Sequence, residues 1–305
     1  MIQSLYLGRV GYDEALRLQD ELVDLRHQGR VGNVLLLLEH PPVLTLGRNA
    51  HRENIIVSDE MLAQRGITIH EIKRGGDVTY HGPGQLVGYP IFDLRSLSLR
   101  SLCDTAVCQP GLRVGPVDFV RLLEEILIRL CGVYGVPAAR IPGLTGAWCG
   151  VNNPLSGDLA DKLCDTRIGD RPIRTKSART GTVAMKDERK IAAIGIHVSR
   201  GITSHGFAFN ATTDLGDFAL INPCGITDRA VTSLARESRG LMPSLQVLAE
   251  RAAQLFGDVF GERVEGVASV EALMATAHAP AEDTPLTIPA DLRRLSGDPA
   301  PPTCA

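Results

Sequence analysis

Residues Lys190 to Asn210 read KIAAIGIHVSRGITSHGFAFN, and Ile221 to Ile226 read INPCGI. In the first stretch Ile194, Ile196 and Val198 alternate with small or polar residues, and Phe207 and Phe209 do so again after Gly206. A period of two marks strands with one buried face. Arg200-Gly201 sits between them as a turn, so the stretch predicts a hairpin with Lys190 at the open end of its first strand. Cys224 follows the second strand in Asn222-Pro223-Cys224-Gly225. Proline removes a backbone donor there and glycine relaxes the chain, so the thiol is presented on a turn rather than packed. If the fold brings these two ends together, an ammonium beside a thiol lowers its pKa and supplies a nucleophilic thiolate near neutral pH. Taken singly, a cysteine is most often a small buried hydrophobe and a lysine at a strand start is most often solvated. The rest of the chain has to decide.

Upstream of the hairpin, Asn33 to Glu39 is a continuous apolar run of strand length, as expected for the centre of a sheet. It is preceded by a short strand from Ile2 and by an amphipathic helix over Tyr12 to His27, with Ala15, Leu18, Leu22 and Leu25 on one side. Pro41 and Pro42 then force a bend. His40 beside them is expected to fix its own loop rather than to act in catalysis. Arg74 to Gln85, RGGDVTYHGPGQ, gathers Arg74, Thr79, Tyr80 and His81 around Gly75 and Gly76. These two glycines allow close approach of backbone to a ligand, or positive φ. Neither the phosphate-cradling GK[ST] loop nor a G-x-G-x-x-G fingerprint occurs there, and a structural hairpin is the competing reading. Strands are expected over Ile67 to Ile72 and Leu86 to Phe92, and helices from Pro116 and over Leu245 to Val259.

The chain has 305 residues, 44% of them hydrophobic and 22% charged, ordinary values for a globular protein. A net charge of -3 implies no general affinity for nucleic acid or anionic membrane. The apolar runs are too short to span a bilayer, and the N-terminus lacks the pattern of a secretory signal. Seven cysteines without framework spacing read as reduced thiols, consistent with a cytoplasmic setting. Residues 149–189 lose all periodicity and read as a surface insert. A second insert is expected near 95–115, and a disordered tail over 277–305. Cys103, Cys108, Cys149 and Cys164 raise the question of a structural zinc, but they lack the two tight pairs such sites use. The expectation is no metal.

Four segments occur together and in order: LEHPPVLTLGR (Leu38 to Arg48), RGGDVTYHGPGQLVGYPI (Arg74 to Ile91), KIAAIGIHVSRGITSHGFAFN and INPCGI. They resemble the lipoate-biosynthetic octanoyltransferases, the LipB family, across roughly Ile2 to Gly261. The resemblance implies an α/β fold of the α+β type, a mixed sheet with flanking helices like that of biotin and lipoate protein ligases, in one catalytic domain over 1–265. It implies an acyltransferase that moves an octanoyl group from acyl carrier protein to a lysine, with no cofactor. The acceptors implied are lipoyl domains of 2-oxoacid dehydrogenase E2 subunits and the glycine-cleavage H protein. By position, Cys224 matches the cysteine that carries the acyl thioester and Lys190 the lysine that lowers its pKa. Arg74, Gly75, Gly76, Asp77, Val78, Thr79, Tyr80 and His81 match substrate-binding positions, as do Ala193, Ile194, Gly195, Gly206, Phe207 and Ala208. Asp77 stands where the family commonly has a glycine or an amide, and the insert before Lys190 replaces a short turn. Two other classes remain in view: an ATP-dependent lipoate or biotin ligase, and a non-catalytic adaptor for carrier protein or lipoyl domains.

Overall fold

The computed structural model describes residues 1–97, 114–151, 187–222 and 229–277. Cys224, Cys103, Cys108, Cys164, most of both expected inserts and the expected tail lie outside the described residues.

The run Asn33–Glu39 (β2) is apolar from Val34 to Leu38 because both of its faces are covered. Leu35 and Leu37 point into one core, and Val34, Leu36 and Leu38 into another. It pairs in parallel with Ile2–Arg9 (β1) and antiparallel with Gln85–Ile91 (β6). The large sheet continues through Ile202–Asn210 (β10), Arg189–Ser199 (β9), Leu144–Cys149 (β8) and Ala139–Ile141 (β7). Val264–Gly266 (β12) adds to its far edge beside β1, and Ala230–Val231 (β11) lies alongside β9. Helices Pro116–Val133 (α3) and Leu245–Phe260 (α5) cover one face, where Phe92, Phe119, Phe256 and Phe260 meet with ring centroids 5.3–6.1 Å apart. Each such pair contributes about 0.5–1.5 kcal/mol beyond burial. Tyr12–His27 (α1) covers the other face with Ala15, Leu22 and Leu25. It is joined there by Val270–Ala275 (α6), whose Leu273 is fully buried. The fold therefore runs past the boundary expected at 265.

A second, three-stranded sheet stands against the first. Its order is Thr68–Glu71 (β4), Val43–Leu46 (β3), Val78–His81 (β5), and Asp59–Gln64 (α2) packs Leu62 into its core. The expected hairpin is present. Arg200 (φ 48°) and Gly201 (φ 87°) form a two-residue connection at positive φ between β9 and β10, the geometry whose twist matches paired strands. Lys190 lies at the open end of β9, as the alternation predicts. One expected boundary moves: Cys149 is the buried last residue of β8, paired with Arg189, and burial pushes its thiol up to about 12. The insert starts after it.

Candidate active site

The residues between Arg74 and Asp77 form a loop held on both sides by backbone. Gly47, Arg48 and Asn49 donate to the carbonyls of Asp77, Arg74 and Gly76, and the Gly75 N–H donates to Ile196 of β9 at 3.0 Å. This lashes the small sheet to the large one. It requires missing side chains: a Cβ on Gly195 would lie 2.8 Å from the Gly75 carbonyl, and Gly76 holds φ at 89°. The Arg74 guanidinium is buried and donates to Thr45 Oγ1, to the Thr45 carbonyl (2.6 Å) and to the Gly75 carbonyl (3.0 Å). Asp77, also buried, accepts from Asn54 Nδ2 at 2.6 Å.

Between this loop and the β9–β10 hairpin opens a cavity of about 610 Å³. Lys190 and every substrate-binding position expected from sequence line it, with one exception. Tyr80 does not. Tyr80 sits in the core of the small sheet, where its hydroxyl donates to Asp217 at 2.7 Å; Val78 also packs into that core but still lines the cavity. Sequence reasoning did not identify Tyr12, Gln85, Tyr89, Trp148, His205 and Arg229, all of which line the cavity. Two carried a signal: Trp148 is the chain's one tryptophan, and His205 precedes the Gly206 of the motif.

Neutral histidines furnish one end. Asn210 Nδ2 donates to the Thr232 carbonyl, which turns Asn210 Oδ1 toward Gln85 Nε2 at 2.9 Å. Gln85 Oε1 then faces His81 Nδ1 at 2.7 Å and accepts from it, leaving the lone pair on Nε2. Burial, reinforced by His40, lowers the His81 pKa to about 3. Burial likewise takes His205 to about 4, with Arg74 contributing. His40 is structural as expected, but not through its own loop. Its Nδ1–H donates to the Val10 carbonyl and its Nε2 accepts from Tyr89, both at 2.8 Å, and burial lowers its pKa to about 4.

The other end is charged. Lys190 is fixed by backbone on two sides, pairing with Trp148 of β8 and Val231 of β11, and its carbonyl accepts from Thr232 N–H at 2.9 Å. Its Nζ lies 4.7 Å from the centre of the Trp148 ring. The chain flanking residues 223–228 is anchored at both ends. Asn222 N–H donates to the Asn54 carbonyl at 2.7 Å, and Arg229, which lines the cavity, pairs with Glu188 at 2.8 Å.

Residues 11–256 match the lipoyl protein ligase A/B catalytic domain. An octanoyltransferase of Acidobacterium capsulatum is 52% identical over 266 residues, covering 87% of this chain and 92% of its own. One from Koribacter versatilis is 45% identical over 298 residues, 98% of each. The chain belongs to the octanoyltransferase family. It is thus an acyltransferase, as the four motifs imply. Solved structures share the fold at much lower identity. A bipartite lipoate protein ligase of Thermoplasma acidophilum, described with its E2 lipoyl domain, matches at TM-score 0.58 and 14% identity over 90% of each chain. A lipoate-protein ligase A bound with ATP matches at 0.56 and 15% identity, covering 90% of this chain and 92% of its own. This chain and these ligases therefore share one scaffold.

Proposed function

We propose that this enzyme transfers an octanoyl group from acyl carrier protein to a lysine of a lipoyl domain through a thioester on Cys224, with Lys190 as its proton partner. The observation that carries this reading is the placement of Lys190 in the cavity, on the strand with which β11 pairs immediately after residues 223–228. The Cys224 thiolate attacks the donor thioester carbonyl. The new carbon–sulfur bond forms, the old one breaks, and the departing thiolate takes a proton from the Lys190 ammonium. The acceptor amine then attacks the Cys224 thioester. The amide bond forms, the Cys224 thiolate leaves, and the amine proton passes to neutral Lys190, restoring the starting pair.

Gly75 N–H is engaged by Ile196, so the Gly76 and Cys224 N–H groups are the candidate donors to the tetrahedral oxyanion. The acyl chain occupies the apolar part of the cavity beside Ile194, Phe207 and Leu144. Each buried methylene contributes about 0.8 kcal/mol there. The neutral state of His81 and His205 suits that role, because no charge has to be desolvated when the chain enters. Lipoyl domains of E2 subunits and the glycine-cleavage H protein are the acceptors this chemistry fits.

Incubating the protein with octanoyl-acyl carrier protein and an isolated lipoyl domain, without any nucleotide, tests the reading. Octanoylation of the lipoyl domain is expected. Transfer that appears only with ATP and free octanoate would instead make the enzyme a ligase.

A further inference from the structure

Trp148 is 1% exposed, yet it does not pack as an ordinary core residue. Its Nε1–H has no hydrogen-bond partner among the described residues, unusual for a buried indole. Its ring instead carries two cations: Lys190 Nζ at 4.7 Å from the centroid and Arg229 Cζ at 5.8 Å. Arg229 is paired with Glu188 at 2.8 Å, and the neighbouring Arg189 with Glu237 of Leu234–Glu237 (α4) at 2.8 Å, so each of those guanidiniums has a carboxylate.

The backbone is bent to make this arrangement. β8 pairs Ala147 with Ala192 but Trp148 with Lys190, so the register slips by one residue between them. A one-residue slip changes which face a side chain takes, and here it sets Trp148 opposite Lys190. Next to the slip, Gly146 holds φ at 119°, and any Cβ there would collide with the Ala192 carbonyl. Gly146 N–H is in turn held at 3.1 Å by Glu124, a fully buried carboxylate of α3 that also accepts from Arg121 and Arg140.

We propose that Trp148 is a positioning residue for acyl transfer, its ring face seating the Lys190 ammonium at the end of β9, with the Glu124–Gly146 contact setting the ring in place. This rests on the Cys224–Lys190 reading above. A cation over a π face is attracted by the ring quadrupole, most strongly for indole and when water is excluded. Seating the ammonium holds the positive charge that stabilises the Cys224 thiolate.

The test follows Cys224 alkylation by iodoacetamide against pH, read by mass spectrometry of the Cys224 peptide, together with steady-state transfer. In Trp148→Leu the alkylation midpoint should rise by roughly one pH unit, and kcat should fall about tenfold with KM nearly unchanged. Trp148→Phe, which keeps a π face, should recover most of both. Because the chain has one tryptophan, fluorinated tryptophans can replace it globally without changing its shape. Each added fluorine weakens the ring quadrupole, and the midpoint should climb with fluorine number. This arm does not depend on Trp148→Leu folding. A midpoint that stays at the wild-type value across the fluorinated series, while Lys190→Ala shifts it, overturns the Trp148 role and leaves the dyad intact. A midpoint unmoved by Lys190→Ala overturns both.

Discussion

The wall of the cavity built from residues 74–81 and the wall built from the start of β9 are held by different forces. In the first, backbone lies against backbone, glycines make room, the buried Arg74 guanidinium is bound by a hydroxyl and two carbonyls, and His81 is a neutral link in a chain of amides. In the second, Lys190 and Arg229 surround one aromatic ring, and carboxylates of Glu188 and Glu237 balance the neighbouring guanidiniums. The first wall suits an uncharged chain and the shape of an acyl group. The second suits a group that changes protonation during the reaction. On the proposed reading one cavity separates binding from proton chemistry, and substitutions in the two walls should fail in different ways.

The sharpest contrast is expected at the charged end. Cys224→Ala should abolish transfer. Lys190→Ala should slow it by roughly 10²–10⁴-fold while changing the unfolding free energy by no more than about 2 kcal/mol, the order of an ammonium's attraction to a water-shielded ring. Transfer assays paired with urea unfolding check both. A Lys190→Ala enzyme that loses stability in proportion to activity would erase the distinction between the walls.

The glycine-lined wall should fail through shape. In Gly195→Val the side chain meets the Gly75 carbonyl, so the loop must move off β9. Overpacking of this kind costs about 1–3 kcal/mol. KM for the acyl donor should rise, and the alkylation pH profile of Cys224 should stay at its wild-type position.

Acid should act on the buried histidines as well. His40, His81 and His205 have folded pKa values of about 4, 3 and 4, below the ordinary 6.5. The unfolded chain therefore binds more protons between pH 6.5 and 4, and the stability these rings contribute is present above 6.5 and lost as the pH falls through that window. Each ring removes about 1.4 kcal/mol per pH unit there. Urea midpoints at pH 7 and pH 5 should differ clearly, and His40→Gln should reduce the difference.

The smallest effect is expected at Tyr80, which lies in the matched motif but outside the cavity. Tyr80→Phe should lose about 1 kcal/mol with the Asp217 hydrogen bond and leave transfer unchanged. A large loss of kcat would return Tyr80 to the site.

These cases also mark how far residues alone could be read. β2, the β9–β10 hairpin, α1, α3 and α5 were legible because each carries its own period and its own buried face. β12 and α6 were not: they are short and largely exposed, and are held by pairing with β1 and by Leu273. The grouping of β3, β4 and β5 into a second sheet depends on contacts distant in sequence, which no local pattern reveals. Within the site, Lys190 and the glycine loop were legible from motif. In Val-Thr-Tyr-His, Tyr80 stands on the face opposite Thr79 and His81, a difference that membership of a shared motif does not express. Trp148 stood out as the one tryptophan, but its meeting with Lys190 could not be read, because it comes from a register slip in β8 beside Gly146, whose N–H is held by Glu124 of α3.

The central claim is that the acyl group rests on Cys224 before it reaches an amine. Mixing the enzyme with octanoyl-acyl carrier protein in the absence of acceptor, followed by intact-mass measurement and peptide mapping, addresses it most directly. The account predicts one octanoyl group per chain, located on the Cys224 peptide, released by hydroxylamine and absent from Cys224→Ala. Full transfer to a lipoyl domain by an enzyme that never carries the octanoyl group, or that carries it on another residue, would contradict it.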